Sequence, residues 1–333
     1  MSVAALPLLA IRDLTVQFRV DAGWLTAIEG VSIDIAEGDC VGVVGESGSG
    51  KSVTALSILR LHDRAATRIP QGSISFQGVD LLKSSDRALR RIRGREIAMI
   101  FQDPMSSLNP VLTISEQISE TLRQHQDMPE AAARRRAVEL LDLVRIPDAR
   151  RRADDYPHRL SGGMRQRVMI AMAIACRPRL LIADEPTTAL DVTIQAQILE
   201  LLRDLRHELG MSVMLISHDL GVIAEFAQSV VVMYAGRVVE QAPVATLFRR
   251  PVHPYTAGLM AAVPKLDGDA ARLRTIPGRI PGPQENIRGC RFAPRCDFVQ
   301  EACRQAPPPL QLAGALHSVR CPPRVVLFGN ADG

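Results

Sequence analysis

A glycine-rich segment at residues 45–52 constrains this chain more than any other. It reads Gly-Glu-Ser-Gly-Ser-Gly-Lys-Ser and has the form G-x-x-x-x-G-K-[ST]. In this pattern the glycines turn the backbone N–H groups inward, the lysine faces the β- and γ-phosphates, and the last hydroxyl binds Mg²⁺ at a helix N-terminus. The predicted phosphate contacts are Gly45, Ser47, Gly48, Gly50, Lys51 and Ser52. We call residues 45–52 the phosphate loop, and we expect it to bind a nucleotide.

The residues on either side of the loop support this interpretation. Residues 41–44 form an apolar run typical of a buried strand, and residues 53–61 have a helical pattern. Strand, loop and helix in this order are the context that the motif needs.

Composition restricts the other classes of function. With 333 residues, 47% of them hydrophobic and 23% charged, the chain is predicted to form one large or two modest globular domains. A net charge of +4 gives no argument for a nucleic-acid partner. No apolar run approaches the roughly 18 residues of a spanning helix, and residues 1–9 lack the features of a secretory signal. We therefore expect a cytosolic protein whose membrane role, if any, depends on partners.

Hydrophobic patterning predicts an α/β fold. Residues 8–35 alternate as antiparallel strands do, whereas residues 97–101, 180–183 and 213–216 are apolar runs typical of buried parallel strands. An amphipathic helix is predicted over residues 194–209, and a helical insertion follows residue 103. In a parallel sheet the ligand lies at the carboxyl ends of the strands, which is where Lys51, Asp184 and His218 are expected.

Two further segments could carry chemistry. Asp184 and Glu185 follow an apolar strand, so that one carboxylate could hold Mg²⁺ and the other could orient the attacking water; a helix cap or solvated turn is the alternative. Ser161, Gly162 and Gly163 open an apolar helix whose N-terminus could bind a second anion, although a simple helix cap is also consistent with them. We call residues 161–163 the signature segment.

Taken together and in order, the motifs of residues 8–240 resemble those of the nucleotide-binding subunits of ATP-binding cassette (ABC) transporters. In that family two subunits enclose ATP head to tail, so the signature segment would contact the γ-phosphate held by the partner's phosphate loop. The resemblance implies a phosphate-loop NTPase fold of ABC type, with an antiparallel β subdomain and a helical subdomain. It also implies that one chain alone hydrolyses ATP poorly.

The resemblance assigns roles residue by residue. Phe18 resembles the aromatic residue that stacks on adenine, with a core phenylalanine as the alternative, and Gln102 resembles the glutamine that contacts Mg²⁺ or water and senses the membrane subunit. Glu185 resembles the catalytic base, and His218 the histidine that bonds the γ-phosphate. The Mg²⁺ ligands would be Ser52, Gln102 and Asp184, and the D-loop would be Ala189, Leu190 and Asp191. No catalytic position is degenerate, so a competent ATPase is expected.

Several segments resemble the dipeptide/oligopeptide importer ATPases of bacteria. They are residues 45–52, residues 101–110, residues 253–256 and the tail from 276 to 321. The resemblance implies a distinct second ATPase subunit, two permease subunits, an extracytoplasmic binding protein and a peripheral position on the cytoplasmic face of the inner membrane. Relatives with this tail also move nickel complexes, opines or sugars, and a non-transport ABC ATPase of DNA repair or translation is a further alternative.

These assignments predict two domains. The nucleotide-binding domain would cover residues 1–240, with the helical subdomain at about 103–165, and a C-terminal extension would cover residues 241–333. Residues 277–323 contain nine prolines, which predicts a loop-rich appendix rather than more sheet.

The extension carries a cysteine cluster within about residues 276–325. Cys290, Cys296, Cys303 and Cys321 have the spacing C-x5-C-x6-C-x17-C, which fits no common zinc ribbon. Four thiolates suit zinc or an iron–sulfur cluster, and unliganded or oxidised thiols are the third possibility. The family resemblance favours a [4Fe-4S] cluster. His317 is interpreted as structural, and Cys40 and Cys176 as buried structural thiols.

Overall fold

The computed structural model describes residues 6–103, 107–188, 190–262, 276–282, 285 and 287–329. Pro104, Met105, Ser106 and Ala189 of the motifs above lie outside the described residues. The chain forms two compact units. The first comprises Met1–Ile35, Cys40–Leu82 and Ser217–Gly333, and the second comprises Ala36–Asp39 and Lys83–Ile216. The predicted domain boundary at residue 240 remains a prediction.

The elements of the described residues are as follows. The strands are β1 Leu9–Val20, β2 Gly23–Ile35, β3 Cys40–Val44, β4 Thr67–Phe76, β5 Val79–Asp80, β6 Ile97–Ile100, β7 Leu180–Asp184, β8 Ser212–Ser217, β9 Ser229–Tyr234, β10 Arg237–Pro243, β11 Gln311–Gly314 and β12 His317–Val319. The α-helices are α1 Lys51–Ile58, α2 Asp86–Ile92, α3 Ile114–Gln126, α4 Glu130–Leu143, α5 Ala149–Arg152, α6 Gly162–Ile174, α7 Val192–Leu209, α8 Leu220–Phe226, α9 Val244–Arg249, α10 Pro254–Ala261, α11 Glu301–Gln305 and α12 Pro322–Gly329. Short 3-10 turns lie at Pro157–Arg159 and Ala293–Arg295.

The first unit contains the predicted antiparallel sheet, with strand order β2-β1-β4-β5. Its other strands follow a different pattern: β3 runs parallel to β9, β10 is antiparallel to β9, and β12 joins β10 to β11. Tyr234, Tyr255 and Phe292 pack together in its core, with ring centroids 4.6 to 5.6 Å apart. The C-terminal extension therefore packs on the strand β9.

The second unit is built on parallel strands and helices. In it β7 pairs in parallel with β6 and β8, as the apolar runs predict. Helix α3 begins with a capping box, in which Thr113 and Glu116 satisfy each other's backbone N–H groups. In α7 the buried residues Ile198, Leu201, Leu202 and Leu205 recur at helical spacing, so one face of this helix lies in the core.

Three local predictions were wrong. Phe101 lies beyond β6 and is exposed, and α1 ends at Ile58 because the chain turns at Arg60, whose φ is 49°. The extension contains the strands β11 and β12 and is not only loop. These strands are four and three residues long, too short for a periodic pattern to indicate them among the prolines.

Candidate functional site

The phosphate loop begins where β3 ends, and its backbone is held closely by the neighbouring strands. A Cβ atom at Gly45 would lie 2.2 Å from the carbonyl oxygen of Met233 in β9, so only glycine fits there. The N–H of Gly236, in the turn after β9, donates to the carbonyl of Ser49 at 2.9 Å. The loop is therefore anchored at its start and near its middle.

Lys51 is the first residue of α1 and closes the loop. Its side chain is only 5% exposed, and its Nζ donates to the carbonyls of Gly45 at 2.7 Å and Glu46 at 3.2 Å. Ser52 follows, half-buried in the first turn of the helix, whereas Ser47 and Gly48 are exposed. The ammonium thus lies against two carbonyls of the loop at a helix N-terminus, which is an arrangement suited to anionic phosphate.

Phe18 lies half-buried in β1, with its ring edge-to-face with His62 at 5.2 Å between centroids. His62 in turn lies 3.0 Å from the carbonyl of Val53 in α1. The aromatic ring is therefore close to the helix that the phosphate loop starts. Its adenine-stacking role remains a prediction.

A cavity of about 520 Å³ opens beside Gly48 in the first unit. Its wall includes Trp24, Glu29 and two arginines, Arg237 and Arg291, whose guanidinium groups each lie 2.6 Å from Glu29. Burial works against the charged Glu29 carboxylate, but its hydrogen bond to Arg237 and the nearby arginines lower its pKa overall. Sequence reasoning missed this charged wall, because no local motif marks residues so far apart in the chain.

In the second unit, two predicted catalytic residues meet. The Gln102 side-chain amide donates to Glu185 Oε2 at 2.9 Å, and the Thr188 hydroxyl donates to the same oxygen at 2.9 Å. Asp184 is buried at the end of β7, and Glu185 follows it with φ of +48°, in the left-handed region. Backbone strain of this kind concentrates at functional sites. The Glu185 carboxylate is thus held in place and half-exposed, as a group that orients a water molecule needs to be.

The signature segment lies at the N-terminus of α6 in the second unit. The Ser161 hydroxyl accepts a hydrogen bond from the N–H of Met164 at 3.3 Å, so the helix cap that was the alternative to an anion site is present, and the anion site remains a prediction. A Cβ atom at Gly163 would lie 2.8 Å from Cγ2 of Ile194 in α7. Asp191 caps α7 by accepting from Ile194 N at 2.9 Å. The structure therefore brings the signature segment and Asp191 to neighbouring helix starts; the D-loop role of Asp191 remains a prediction.

His218 lies exposed in the first unit, between Ser217 and Asp219. Asp219 caps α8 by accepting from the N–H of Gly221 at 2.7 Å, and its own N–H donates to the Ser217 hydroxyl at 2.9 Å. The histidine thus lies on a loop fixed on both sides. That His218, the phosphate loop and Glu185 face one nucleotide remains a prediction.

The four tail cysteines line one cavity of about 20 Å³. Burial and the neighbouring thiols raise the pKa of Cys321 to about 11, and burial also raises the pKa of Cys290 and Cys296. Among the described residues, however, no group of three or more His, Cys, Asp or Glu side chains is arranged to hold a metal ion. The thiol chemistry fits a soft metal, but the arrangement of these side chains does not form a ligand set. We call this space the thiol cavity.

His317 and the two remaining cysteines have the environments predicted for structural residues. His317 Nε2 lies 2.7 Å from Glu240 Oε1 and both side chains are buried. Glu240 also accepts from the backbone N–H groups of Val252 and His253, at 2.7 and 2.9 Å. Cys40 and Cys176 are buried, away from the tail thiols in the sequence. This network joins the extension to β10.

Comparisons with known proteins agree with the geometry. Residues 28–188 match the family model described as ABC transporter, and residues 239–303 match the oligopeptide/dipeptide transporter C-terminal region. A relative from Brucella abortus (strain 2308), named a peptide import ATP-binding protein, is 58% identical and covers 98% of this chain and 97% of its own length. A similarly named relative from Brucella melitensis biotype 1 is 55% identical, covering 95% of this chain and 96% of its own length.

Solved structures show the same fold. The dimeric ATP-binding cassette MJ0796 bound to ADP and phosphate in a post-hydrolysis state is 30% identical, with a TM-score of 0.63, and covers 71% of this chain and 98% of its own. The chain cbiO1 from Clostridium perfringens, part of an ABC transporter complex, is 26% identical with the same TM-score and covers 73% of this chain and 91% of its own. The chain belongs to the ABC transporter family, as an ATP-hydrolysing subunit with the C-terminal region of the oligopeptide/dipeptide transporters.

Proposed function

We propose that this ATPase energises the import of di- or oligopeptides. The observation that carries the proposal is the 58% identity, over 98% of the chain, to a relative named for peptide import. The match of residues 239–303 to the oligopeptide/dipeptide transporter C-terminal region agrees with it. The non-transport alternative in DNA repair or translation has no such support.

We propose the following roles for the residues that face ATP. The phosphate loop and Lys51 hold the β- and γ-phosphates, and Phe18 stacks on the adenine. Glu185 orients the attacking water and accepts its proton, while Gln102 holds the Glu185 carboxylate at 2.9 Å. His218 bonds the γ-phosphate. The signature segment and Asp191 act on the ATP bound by the partner's phosphate loop.

Oxygen donors for Mg²⁺ are present on this chain. Asp184 supplies a buried carboxylate, Ser52 a hydroxyl in the first turn of α1 and Gln102 an amide oxygen. Hard oxygen ligands of this kind suit Mg²⁺, which supplies charge neutralisation on the phosphates when it is bound.

The membrane partners follow from the same proposal. An importer ATPase requires permease subunits, and we propose two of them, a distinct second ATPase and an extracytoplasmic binding protein, with this chain on the cytoplasmic face of the inner membrane. Exposed apolar side chains support the proposed contacts with the second ATPase and with a permease. Val192, 84% exposed, follows Asp191 in the chain and suits the second ATPase, whereas Phe101, 40% exposed, precedes Gln102 in the chain and suits a permease.

Transport by the reconstituted complex tests the function. The chain, its second ATPase and its permeases are placed in vesicles with Mg·ATP inside and the binding protein outside, and the entry of labelled di- and oligopeptides is measured. Peptide entry that requires ATP and stops in the Glu185→Gln variant supports the proposal. ATP-dependent entry of a nickel complex, an opine or a sugar, without entry of peptides, would change the assigned cargo and leave the ATPase role intact.

The metal content of the thiol cavity is a separate proposal. We propose that Cys290, Cys296, Cys303 and Cys321 bind one [4Fe-4S] cluster. Their common cavity supports this, whereas its small volume of about 20 Å³ counts against it and would require the side chains to move apart. Because the buried thiols must lose their protons to bind iron or zinc, loading should release acid.

Metal analysis of protein purified without oxygen separates the three possibilities. A cluster predicts brown protein with iron and sulfide in equal amounts, about four of each per chain. Colourless protein with one zinc, or metal-free protein whose four tail thiols react after unfolding, would contradict it. The Cys303→Ser variant, which lacks one proposed ligand, should lose the bound metal. The Cys176→Ser variant is the control and should retain the metal.

A further inference from the structure

One residue of the phosphate loop is held by the C-terminal extension. Glu46 follows Gly45, and its backbone N–H donates to the Tyr255 hydroxyl at 2.9 Å. Its carboxylate accepts from Arg295, with Nη1 to Oε2 at 2.9 Å and Nη2 to Oε1 at 3.3 Å. Its carbonyl accepts from Lys51 Nζ at 3.2 Å. Every polar group of Glu46 is thus bonded, two of them by residues more than 200 positions away.

Arg295 is fixed as firmly as the residue it holds. Its side chain is 4% exposed, and it also donates to the carbonyls of Ile276 at 3.2 Å and Pro277 at 2.9 Å and to the Tyr234 hydroxyl at 3.4 Å. The planar fork of a guanidinium matches a carboxylate with two parallel hydrogen bonds, which a lysine ammonium cannot reproduce. The fork therefore defines both the place and the orientation of the Glu46 side chain.

The Glu46–Arg295 ion pair, in which the arginine side chain is 4% exposed and the glutamate side chain 31% exposed, contributes little to stability, because the cost of removing charge from water offsets much of the attraction. The ion pair instead defines the position and orientation of Glu46. Lys51, which faces the phosphates, bonds the same residue that Arg295 and Tyr255 hold. A displaced Glu46 would therefore displace its own carbonyl, one of the two that accept from the Lys51 ammonium.

We propose that Arg295 and Tyr255 are positioning residues for ATP binding, which hold the phosphate loop through Glu46. This inference rests on the proposed binding of ATP by that loop. Arg295 ends the 3-10 turn Ala293–Arg295, which runs between Cys290 and Cys296. The extension thus has a role in the ATP site itself, and the thiol cavity lies directly next to the residue that performs it.

The test compares matched arginines of the extension. Arg295→Lys keeps the charge and removes the fork, whereas Arg279→Lys makes the same change at an exposed arginine that lies 3.1 Å from Glu285. Glu46→Gln is the second variant, because it removes the carboxylate charge and leaves the other bonds of Arg295 in place. Steady-state ATPase kinetics, binding of a fluorescent ATP analogue with Mg²⁺, and amide hydrogen exchange of residues 45–50 without nucleotide are measured for each.

Arg295→Lys and Glu46→Gln should raise KM and the analogue's Kd about tenfold, the effect of losing one charge-assisted hydrogen bond. Their kcat at saturating ATP should change far less, and exchange in residues 45–50 should accelerate; Arg279→Lys should match the wild type. A purely structural role would lower kcat through loss of active protein and leave KM unchanged, which would overturn the proposal.

The exchange measurement keeps the inference separate from the proposed function. If the wild-type protein fails to bind the ATP analogue, the proposed function fails at that point. The exchange of residues 45–50 still reports on the positioning, since it needs no nucleotide. Unchanged exchange in both folded variants would overturn the positioning role whether or not ATP binds.

Discussion

The phosphate loop and the signature segment are both expected to meet phosphate, but the chain holds them in different ways. The phosphate loop is enclosed: Gly45 packs on Met233, Lys51 is buried, and Glu46 is bonded by Tyr255 and Arg295. In the signature segment Ser161 and Gly162 are exposed, and the Ser161 hydroxyl caps its own helix. Only Gly163 packs closely, against Ile194.

The difference suits a site assembled from two chains. A preformed loop binds nucleotide without an ordering cost, whereas an exposed helix N-terminus presents its N–H groups to a ligand that arrives from outside. The comparison therefore predicts that damage to the loop removes binding, and that damage to the signature segment removes only the step that needs a second subunit.

Glu185→Gln should have the largest effect. Loss of the general base should lower ATP turnover by about 100- to 1,000-fold, while the enclosed loop still binds Mg·ATP. ATP should then hold this variant in a dimer, with itself or with the second ATPase, on size-exclusion chromatography of the mixed proteins. Glu139→Gln, at an exposed pair with Arg136, is the control. Undiminished turnover would refute the role of Glu185.

A pair of variants separates the two segments directly. Lys51→Ala should weaken binding of Mg·ATP roughly 10- to 100-fold, because a charged contact to phosphate is lost. Ser161→Arg should leave binding to a single chain unchanged but lower turnover about 100-fold and abolish the ATP-dependent dimer. Binding is followed by equilibrium dialysis and turnover by phosphate release.

The control for Ser161→Arg is Ser85→Arg. Ser85 caps α2 with the same 3.3 Å bond, so this variant loses a helix cap without touching the signature segment. Equal losses of turnover in the two serine variants would show that only the cap matters. The distinction between the segments would then fail.

Acid should lower the free energy of unfolding through His253, which contacts the Tyr255 that bonds the phosphate loop. His253 is buried, and burial, opposed by Glu240 and aided by Arg324, lowers its pKa to about 4. Its Nδ1 accepts from the N–H of Tyr255 at 3.1 Å, which requires the unprotonated ring. The unfolded chain therefore binds more protons below pH 6.5, and the free energy of unfolding should fall by about 2 kcal/mol between pH 7 and pH 5.

Urea unfolding at several pH values measures this fall. His253→Asn keeps an oxygen that can cap α10 and removes the titration, so its stability should depend less on pH by that amount. The same dependence in wild type and variant would assign the acid sensitivity to other groups.

The local sequence was enough to predict the parts of the site that lie within one motif. The phosphate loop, the start of a helix after Ser161 and the strand that ends at Asp184 each follow from adjacent residues with a recognisable spacing. The contact of Glu46 with Arg295 joins residues 249 positions apart and leaves no local signal. Phe101 was wrongly placed in a strand, because an apolar residue at a strand end has the same pattern whether it is buried or exposed.

The smallest expected effect concerns the one enclosed residue of the signature segment. Gly163→Ala would bring a Cβ atom within 2.8 Å of Ile194 Cγ2, so α6 and α7 must shift, at about 1 kcal/mol of unfolding free energy. Ile194→Val keeps a methyl group at the position of Cγ2 and so keeps the clash, whereas Ile194→Ala removes this methyl group. The Gly163→Ala, Ile194→Ala double variant should therefore recover stability relative to the sum of the single changes, and a double-mutant cycle by urea unfolding measures this. Strict additivity would mean that the signature segment is as loosely held at Gly163 as at Ser161, and the contrast with the phosphate loop would then be complete.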